Sequence, residues 1–283
     1  MFTAAEAPRS STALFDECDV TPGIATSMDT ERSDSSASKV LRLLNAFVGP
    51  QAHLGLTELA DRAKLPRSTA HRLLGTLARE GYVHRVRGRY CLSNRTFEVG
   101  HHAMTVRPNG LRERAMPFLT DLFLQTRQPV HLAILDGAEV LYLEKIFGHN
   151  SVRTGTSVGA RRPAHATALG KALLAASAED VWQEVLGKPL PRYTERTWVN
   201  PDRIERQLHE VRGQGFATDR DELIRGLSCV AAPIRDPLTG EVVAAVSVSS
   251  RSGPEIVRRF SQAVVQTAQM LSQPSGSRSY APA

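Results

Sequence analysis

Residues 56–93, LTELADRAKLPRSTAHRLLGTLAREGYVHRVRGRYCLS, constrain the chain most tightly, because their apolar spacing and their breakers leave few ways to fold. Leu59, Ala60 and Ala63 share one side of a short helix, with Thr57 suited to its N-cap. Lys64-Leu65-Pro66 makes a tight connection, and proline suits the opening of the next helix. That helix, over about 67–80, turns Ala70, Leu73, Leu74 and Leu77 inward and ends at Gly81. Two β-prone runs follow, Tyr82–Val86 and Arg89–Leu92, joined across Arg87-Gly88 where glycine supplies the turn. Upstream, Val40, Leu43, Leu44 and Phe47 repeat at helical spacing, and Gly49-Pro50 is expected to close that helix. Helix, helix, tight turn, helix and a two-stranded ribbon is the order of a winged helix-turn-helix.

The residues left off the apolar stripe carry the chemistry of nucleic-acid binding. A helix-turn-helix sets its second helix in the major groove with its N-terminal residues on base edges and phosphates. Ser68 and Thr69 stand where exposed N–H groups already favour anions. Arg67 and Arg72 suit phosphate or a bidentate contact to guanine, and His71 a base edge or phosphate. In the ribbon Arg85, Arg87 and Arg89 alternate around Gly88 as a basic fingertip.

Charge along the chain agrees. The overall +6 divides unevenly: residues 1–37 carry two arginines against seven acids, net −5, and residues 38–107 carry twelve basic against four acidic side chains, net +8. The remainder, with 21 basic and 18 acidic, stands at +3. A compact basic segment at one end is the electrostatic footprint of a DNA-binding module. Residues 1–37, rich in Ser, Thr, Asp and Ala without apolar period, are read as a disordered acidic tail. The opening residues lack a basic head and apolar run, no stretch reaches 18 apolar residues, and Cys18, Cys91 and Cys229 lie far apart. A cytoplasmic protein with no membrane association, no disulfide framework and no cysteine zinc module is expected.

Beyond the wing, a short helix from Arg95 to about Met104 reads as a linker, and Arg107-Pro108-Asn109-Gly110 punctuates it. A longer helix spans about 111–126, where Pro117 is expected to kink it or split off its first turn. Then come a hairpin (130–136 and 139–146), a glycine-containing strand and loop, helices at 168–176, 179–186 and from about 201, a second hairpin (227–236 and 241–250) and a terminal helix over about 254–272. Antiparallel hairpins with helices packed on them indicate an α+β sensor-type domain.

The 56–93 run resembles the winged helix of IclR-type bacterial transcription regulators. The likeness continues through RRPAHATALGKALLA and GFATDRDELIRGLSCVAAPIRDPLTGEVVAAVSVSS and covers about 38–274. It implies an α+β chain: an N-terminal winged helix-turn-helix domain (38–98) joined by a linker helix (99–110) to a GAF-like effector-binding domain (111–274), with disordered tails over 1–37 and 275–283. It also implies double-stranded operator DNA and a small-molecule effector as partners, and a homodimer or a dimer of dimers. By that resemblance, Ala168, Leu169 and Gly170 offer main-chain N–H groups to the effector, Asp219 lines its pocket, Cys229 matches a polar or thiol position, and Ser247 and Ser249 supply hydroxyls.

Strand geometry agrees for the serines, which share one face while Val246 and Val248 take the other. Hydroxyls, a thiol and backbone amides around an apolar wall suit a small carboxylate or aromatic acid. Other readings stay open: Cys229 as a buried structural thiol, the serines facing solvent on an edge strand, Asp219 capping a turn or pairing with Arg220 or Arg225. Arg161, Arg162 and His165 flank the expected mouth.

An enzyme carrying a DNA-binding appendage is the main rival. Its candidates are Cys229 with His165 as base, or a metal held by His101, His102 and His131, but no HExxH, GxSxG or phosphate loop is present. Adjacent histidines on a helix diverge by about 100°, a poor start for one metal. No catalytic residue, metal or cofactor is expected. A sensor that binds only proteins leaves the +8 segment without a purpose.

Overall fold

Spacing over residues 40–92 demands three short helices and a ribbon around one apolar cluster, and these form. The computed structural model describes residues 35–49, 51–105, 110–149, 151–152, 154–251, 253 and 255–274. The two expected tails lie outside these residues, except for 35–37. Those three belong to α1 (Ser36–Asn45) and its cap, because Ser35 Oγ accepts from Ser38 N at 3.1 Å. The helix stops at Asn45, earlier than the Gly49-Pro50 signal, and Phe47 is buried in the turn beyond it.

Helix α2 (Leu56–Ala63) corrects the expected cap. Gly55 occupies the N-cap without a side-chain bond, while the Thr57 hydroxyl, already inside the helix, accepts from Arg67 Nη2 at 2.5 Å. Lys64 takes a left-handed conformation (φ 53°) and turns the chain into α3 (Arg67–Arg79), with Leu65 buried as the plug between them. Strands β1 (Val83–Val86) and β2 (Arg89–Leu92) pair antiparallel with Val86 opposite Arg89. Leu54 and Tyr90 exchange both backbone hydrogen bonds, at 2.9 and 2.8 Å, so the segment before α2 is tied to the ribbon. One core of leucines and alanines from all three helices, with Val83 and Tyr90, unites the module.

Helix α4 (Asn94–Thr105) follows directly, so the linker element starts before residue 99. Helix α5 (Leu111–Thr126) runs through Pro117 as one element. Pro117 and Glu113, whose carbonyl loses a donor, are both exposed, and the first turn is not split off.

The remainder is a three-layer α+β arrangement. Strands β3 (Val130–Asp136), β4 (Glu139–Ile146), β5 (Arg161–Pro163), β6 (Ala217–Arg220), β7 (Ser228–Arg235) and β8 (Val242–Ser250) form one antiparallel sheet in the order β5-β4-β3-β8-β7-β6. Helices α6 (Ala168–Ala176), α7 (Glu179–Leu186) and α8 (Pro201–Gln214) cover one face; α5 and α9 (Glu255–Leu271) cover the other. The strands alternate accordingly. Val246 and Val248 of β8 and Val230 and Ala232 of β7 enter the α5/α9 core, while Ala245 and Ala231 enter the α6–α8 core. Strand β6 was not expected; in FATDRDE only Ala217 offers a buried apolar side chain after the phenylalanine.

Candidate functional site

The reading helix begins without a side-chain cap, since Pro66 is its N-cap residue, so the first-turn N–H groups stay available to an anion. Ser68, His71 and Arg72 are exposed and Thr69 is half-buried. The side chains of Arg72 and Arg87 make no hydrogen bond or ion pair within the described residues. Arg87 and Gly88 both take left-handed conformations (φ 49° and 79°), the two-residue turn that matches strand twist and places Arg87 at the tip.

The other basic residues are partly spoken for. Arg67 is held by Thr57. Arg89 does not project with the tip: its Nε and Nη2 donate to the His53 carbonyl at 3.2 and 2.9 Å, and Nη2 lies 3.5 Å from Glu58. Arg85 stacks 5.6 Å over the Tyr90 ring. The fingertip is therefore Arg87, carried on a wing braced by Arg89.

On the α6 side of the sheet lies a small cavity. Asp219, Cys229, Ser247, Ser249, Ala168 and Leu169 line it together, and Gly170 does not. Register explains the grouping: Asp219 is paired with Cys229, Cys229 with Ser249, and Ser247 with His131, all on one face. Strand β8 is central, so the serines are buried rather than at a solvent edge. Cys229 Sγ and Ser249 Oγ are 3.1 Å apart. Asp219 Oδ1 accepts from Glu222 N at 2.7 Å, so it both lines the cavity and fixes a turn; it pairs with neither Arg220 nor Arg225.

Gly170 needs a correction. Its N–H donates to Thr167 Oγ1, the N-cap of α6, at 3.1 Å. A Cβ there would stand 2.2 Å from the Ala164 carbonyl oxygen. The glycine allows backbone to pack on backbone.

Residues not expected at the site complete the wall. Tyr142, Thr154, Thr156 and Thr167 add hydroxyls, and Leu223, Ile224 and Leu227 close the apolar side. His131 Nε2 lies 2.9 Å from Thr156 Oγ1, which is 2.7 Å from Thr154 Oγ1, and the imidazole meets Tyr142 edge-on at 5.3 Å. Two signals were legible: a histidine alternating with apolar residues in VHLAILD, and threonines at i, i+2 in RTGTS. Beneath the wall, Lys171 Nζ meets Glu222 Oε1 at 2.6 Å, a buried ion pair bridging positions far apart in sequence.

Electrostatics make the cavity nearly neutral. Burial, aided by Lys145, lowers His131 to about 3, so its ring is uncharged. Burial raises Asp219 to about 7, with Lys171 opposing and Glu222 assisting. Burial and neighbouring Asp219 push the Cys229 thiol up, and burial does the same for the Tyr142 phenol. A protonated thiol is no nucleophile.

His165 stands outside the lining, its Nε2 donating to the Pro191 carbonyl at 3.0 Å, so the Cys229–His165 pair is not formed. Arg161 pairs with Asp136 and Arg162 donates to carbonyls, so neither frames an open mouth. His101 stacks on Phe97 while His131 is in the cavity wall, and among the described residues no cluster of His, Cys, Asp or Glu is placed to hold a metal. About 20 Å3 admits the centre of a water, room for about one.

Comparison with known proteins bears on both regions. The model of the IclR helix-turn-helix domain matches residues 36–87, and that of the bacterial transcriptional regulator IclR C-terminal region matches residues 103–273. The HTH-type transcriptional regulator XynR of Escherichia coli K12 is 34% identical over 218 residues, 76% of this chain and 85% of that protein. BhcR of Paracoccus denitrificans is 35% identical over 235 residues, 80% of this chain and 82% of that regulator. A crystal structure of an IclR homolog from Microbacterium hydrocarbonoxydans, complexed with 4-hydroxybenzoate, superposes with a TM-score of 0.76 at 29% identity, covering 84% of this chain and 98% of the other.

Proposed function

The chain belongs to the IclR family of bacterial transcriptional regulators, and from that premise we propose that it is a cytoplasmic homodimer or dimer of dimers that reads operator DNA with α3 and the wing and is switched by a compact aromatic or aliphatic carboxylate. The reader spans about 38–93, the linker begins with α4 at Asn94, and the sensor spans about 111–274. Ser68, Thr69, His71 and Arg72 lie in the groove with Arg67 beside them, and Arg87 follows the backbone from the wing tip. Arg85 and Arg89 act behind it.

One observation carries the effector class: the cavity wall offers hydroxyls, a thiol, a neutral imidazole and a carboxyl that titrates close to neutrality, and among the described residues no cation. Such a wall, with Asp219 protonated, meets a single carboxylate through neutral donors and leaves its apolar side to a flat body. The relative's 4-hydroxybenzoate has that chemistry. Because only about one water fits, binding requires the segment carrying Leu223, Ile224 and Leu227 to move outward. That segment hangs on hydrogen bonds from Thr194 and Thr197 to the Asp221 and Glu222 carbonyls.

Oligomer formation is supported by apolar residues left exposed on two helices, Leu41 on α1 and Phe97 and Val99 on α4. No helix among the described residues is long and apolar enough to cross a membrane.

The test is a mobility shift with fragments from the gene's own neighbourhood, with and without 4-hydroxybenzoate and related acids. A fragment shifted at low salt, and an acid that changes its affinity, support the reading. No shift with any fragment sinks it.

A further inference from the structure

The larger recess is elsewhere. An open groove of about 680 Å3 lies between α8, the edge strand β6 and the 192–200 loop. That volume is in the range of small-molecule sites. Along β6 the residues divide between the two spaces: Asp219 lines the small cavity, while Thr218 and Arg220, with Glu222 just beyond the strand, line the groove.

Two atoms in the groove wall lack what buried polar atoms nearly always have. Gln207 Oε1 and Glu222 Oε2 are buried with no hydrogen-bond partner. Glu222 is among the buried residues, and Lys171 occupies only its other oxygen, Oε1. What remains just behind the inner wall is an amide oxygen and a carboxylate oxygen, both acceptors and both closed to solvent, so a donor reaches them as the Gln207 and Glu222 side chains turn toward the groove.

Cations ring the groove, but most are engaged. Arg192 donates to the Glu195 and Thr197 carbonyls, Arg196 pairs with Asp221, and Arg203 lies 3.9 Å over the Trp198 ring. Arg220 is exposed and makes no hydrogen bond or ion pair through its side chain within the described residues.

An occupant must therefore bring N–H donors to the inner acceptors and an anion to Arg220. We propose that this groove binds a small zwitterion of the α-amino acid class. Its ammonium donates to Gln207 Oε1 and Glu222 Oε2, and its carboxylate meets Arg220. An ammonium has three donors and no acceptor, which fits two oxygen atoms and nothing else. A plain carboxylate brings no donor and meets the Glu222 charge; a polyol leaves Arg220 without its anion.

Calorimetric titration of the full chain with each of the twenty standard L-amino acids tests this, with glycine betaine, which has no N–H, as control. At least one amino acid is expected to bind and betaine is not. Gln207→Leu and Arg220→Ala are each expected to weaken that binding at least about tenfold. Arg220 is exposed, so its variant is safe to fold; Gln207→Met replaces Gln207→Leu if the latter unfolds. No heat with any of the twenty at millimolar concentration, equal binding of betaine, or unchanged affinity in either variant overturns the proposal. The groove and the cavity are separate, so failure of 4-hydroxybenzoate to bind leaves this result intact.

Discussion

Asp219 is where burial, charge and ligand meet on one side chain. Its folded value is about 7, against about 3.9 for an unfolded aspartate. The folded chain therefore binds more protons between those values, and stability falls as pH rises from about 4 to 7, then levels. The loss reaches at most about 1.4 kcal/mol per pH unit at this site. Asp219→Asn should flatten that stretch of a melting-temperature profile taken from pH 5 to 8; an unaltered profile would assign the titration to another group. The same carboxyl governs a carboxylate effector. Affinity for 4-hydroxybenzoate should drop as pH passes 7 in the wild type and stay level in the variant. Gly170 makes the opposite case, a residue near the site whose role is packing. With the Ala164 backbone in the way, Gly170→Ala should cost about 3 kcal/mol or more in chemical denaturation. A near-neutral result would mean that α6 can slide.

Elements separate residues that look alike in sequence. Arg72, Arg87 and Arg89 are all exposed arginines of the reader, yet only Arg89 braces the wing, through the His53 carbonyl and Glu58. Arg72→Ala and Arg87→Ala should weaken operator binding with melting unchanged, each lowering the salt slope by about one if the contact is to phosphate. Arg89→Ala should lower the melting temperature of the reader as well, and equal melting in all three would deny the brace. This distinction was not legible before folding, because it depends on the 53–58 segment crossing to the ribbon. Much else was. The Leu73/Leu74/Leu77 stripe, the breakers at 64–66 and 81, and the Val246/Ser247/Val248/Ser249 alternation follow from periods of 3.6 and 2, so α3, β8 and the serines' common face could be read directly. Period carries no information about which distant residues meet. Hence β6, too short and polar to show alternation, was missed. So was the pairing of Lys171 with Glu222, and so were Thr154 and Thr156, whose loop has no regular pattern. The cavity's small size was equally invisible, being a property of how Leu223, Ile224 and Leu227 fold over it.

At the scale of the whole molecule, charge and fold divide the chain at nearly the same places. The reader, from α1 to α4, holds most of the +8 segment, and the sensor is close to balance. Seven acids and two arginines precede Ser35, net −5, and Ser35 is needed to cap α1. A deletion of residues 1–34 therefore removes all of that negative charge and leaves the first helix its cap. Nonspecific DNA binding is driven by phosphate neutralisation and falls steeply with salt. If the acidic segment competes with phosphate for the basic reader, the shortened chain should bind random-sequence duplex more tightly at about 50 mM salt and with a steeper salt slope. The difference should shrink near 0.5 M, where the Debye length is only a few ångströms. Operator preference over random duplex should hold, since α3 and the wing are untouched. Fluorescence anisotropy across a salt series checks it. Parallel lines for the two chains would show that the acids stay clear of the reader, and a gain that persists at high salt would place the effect in contacts rather than in charge.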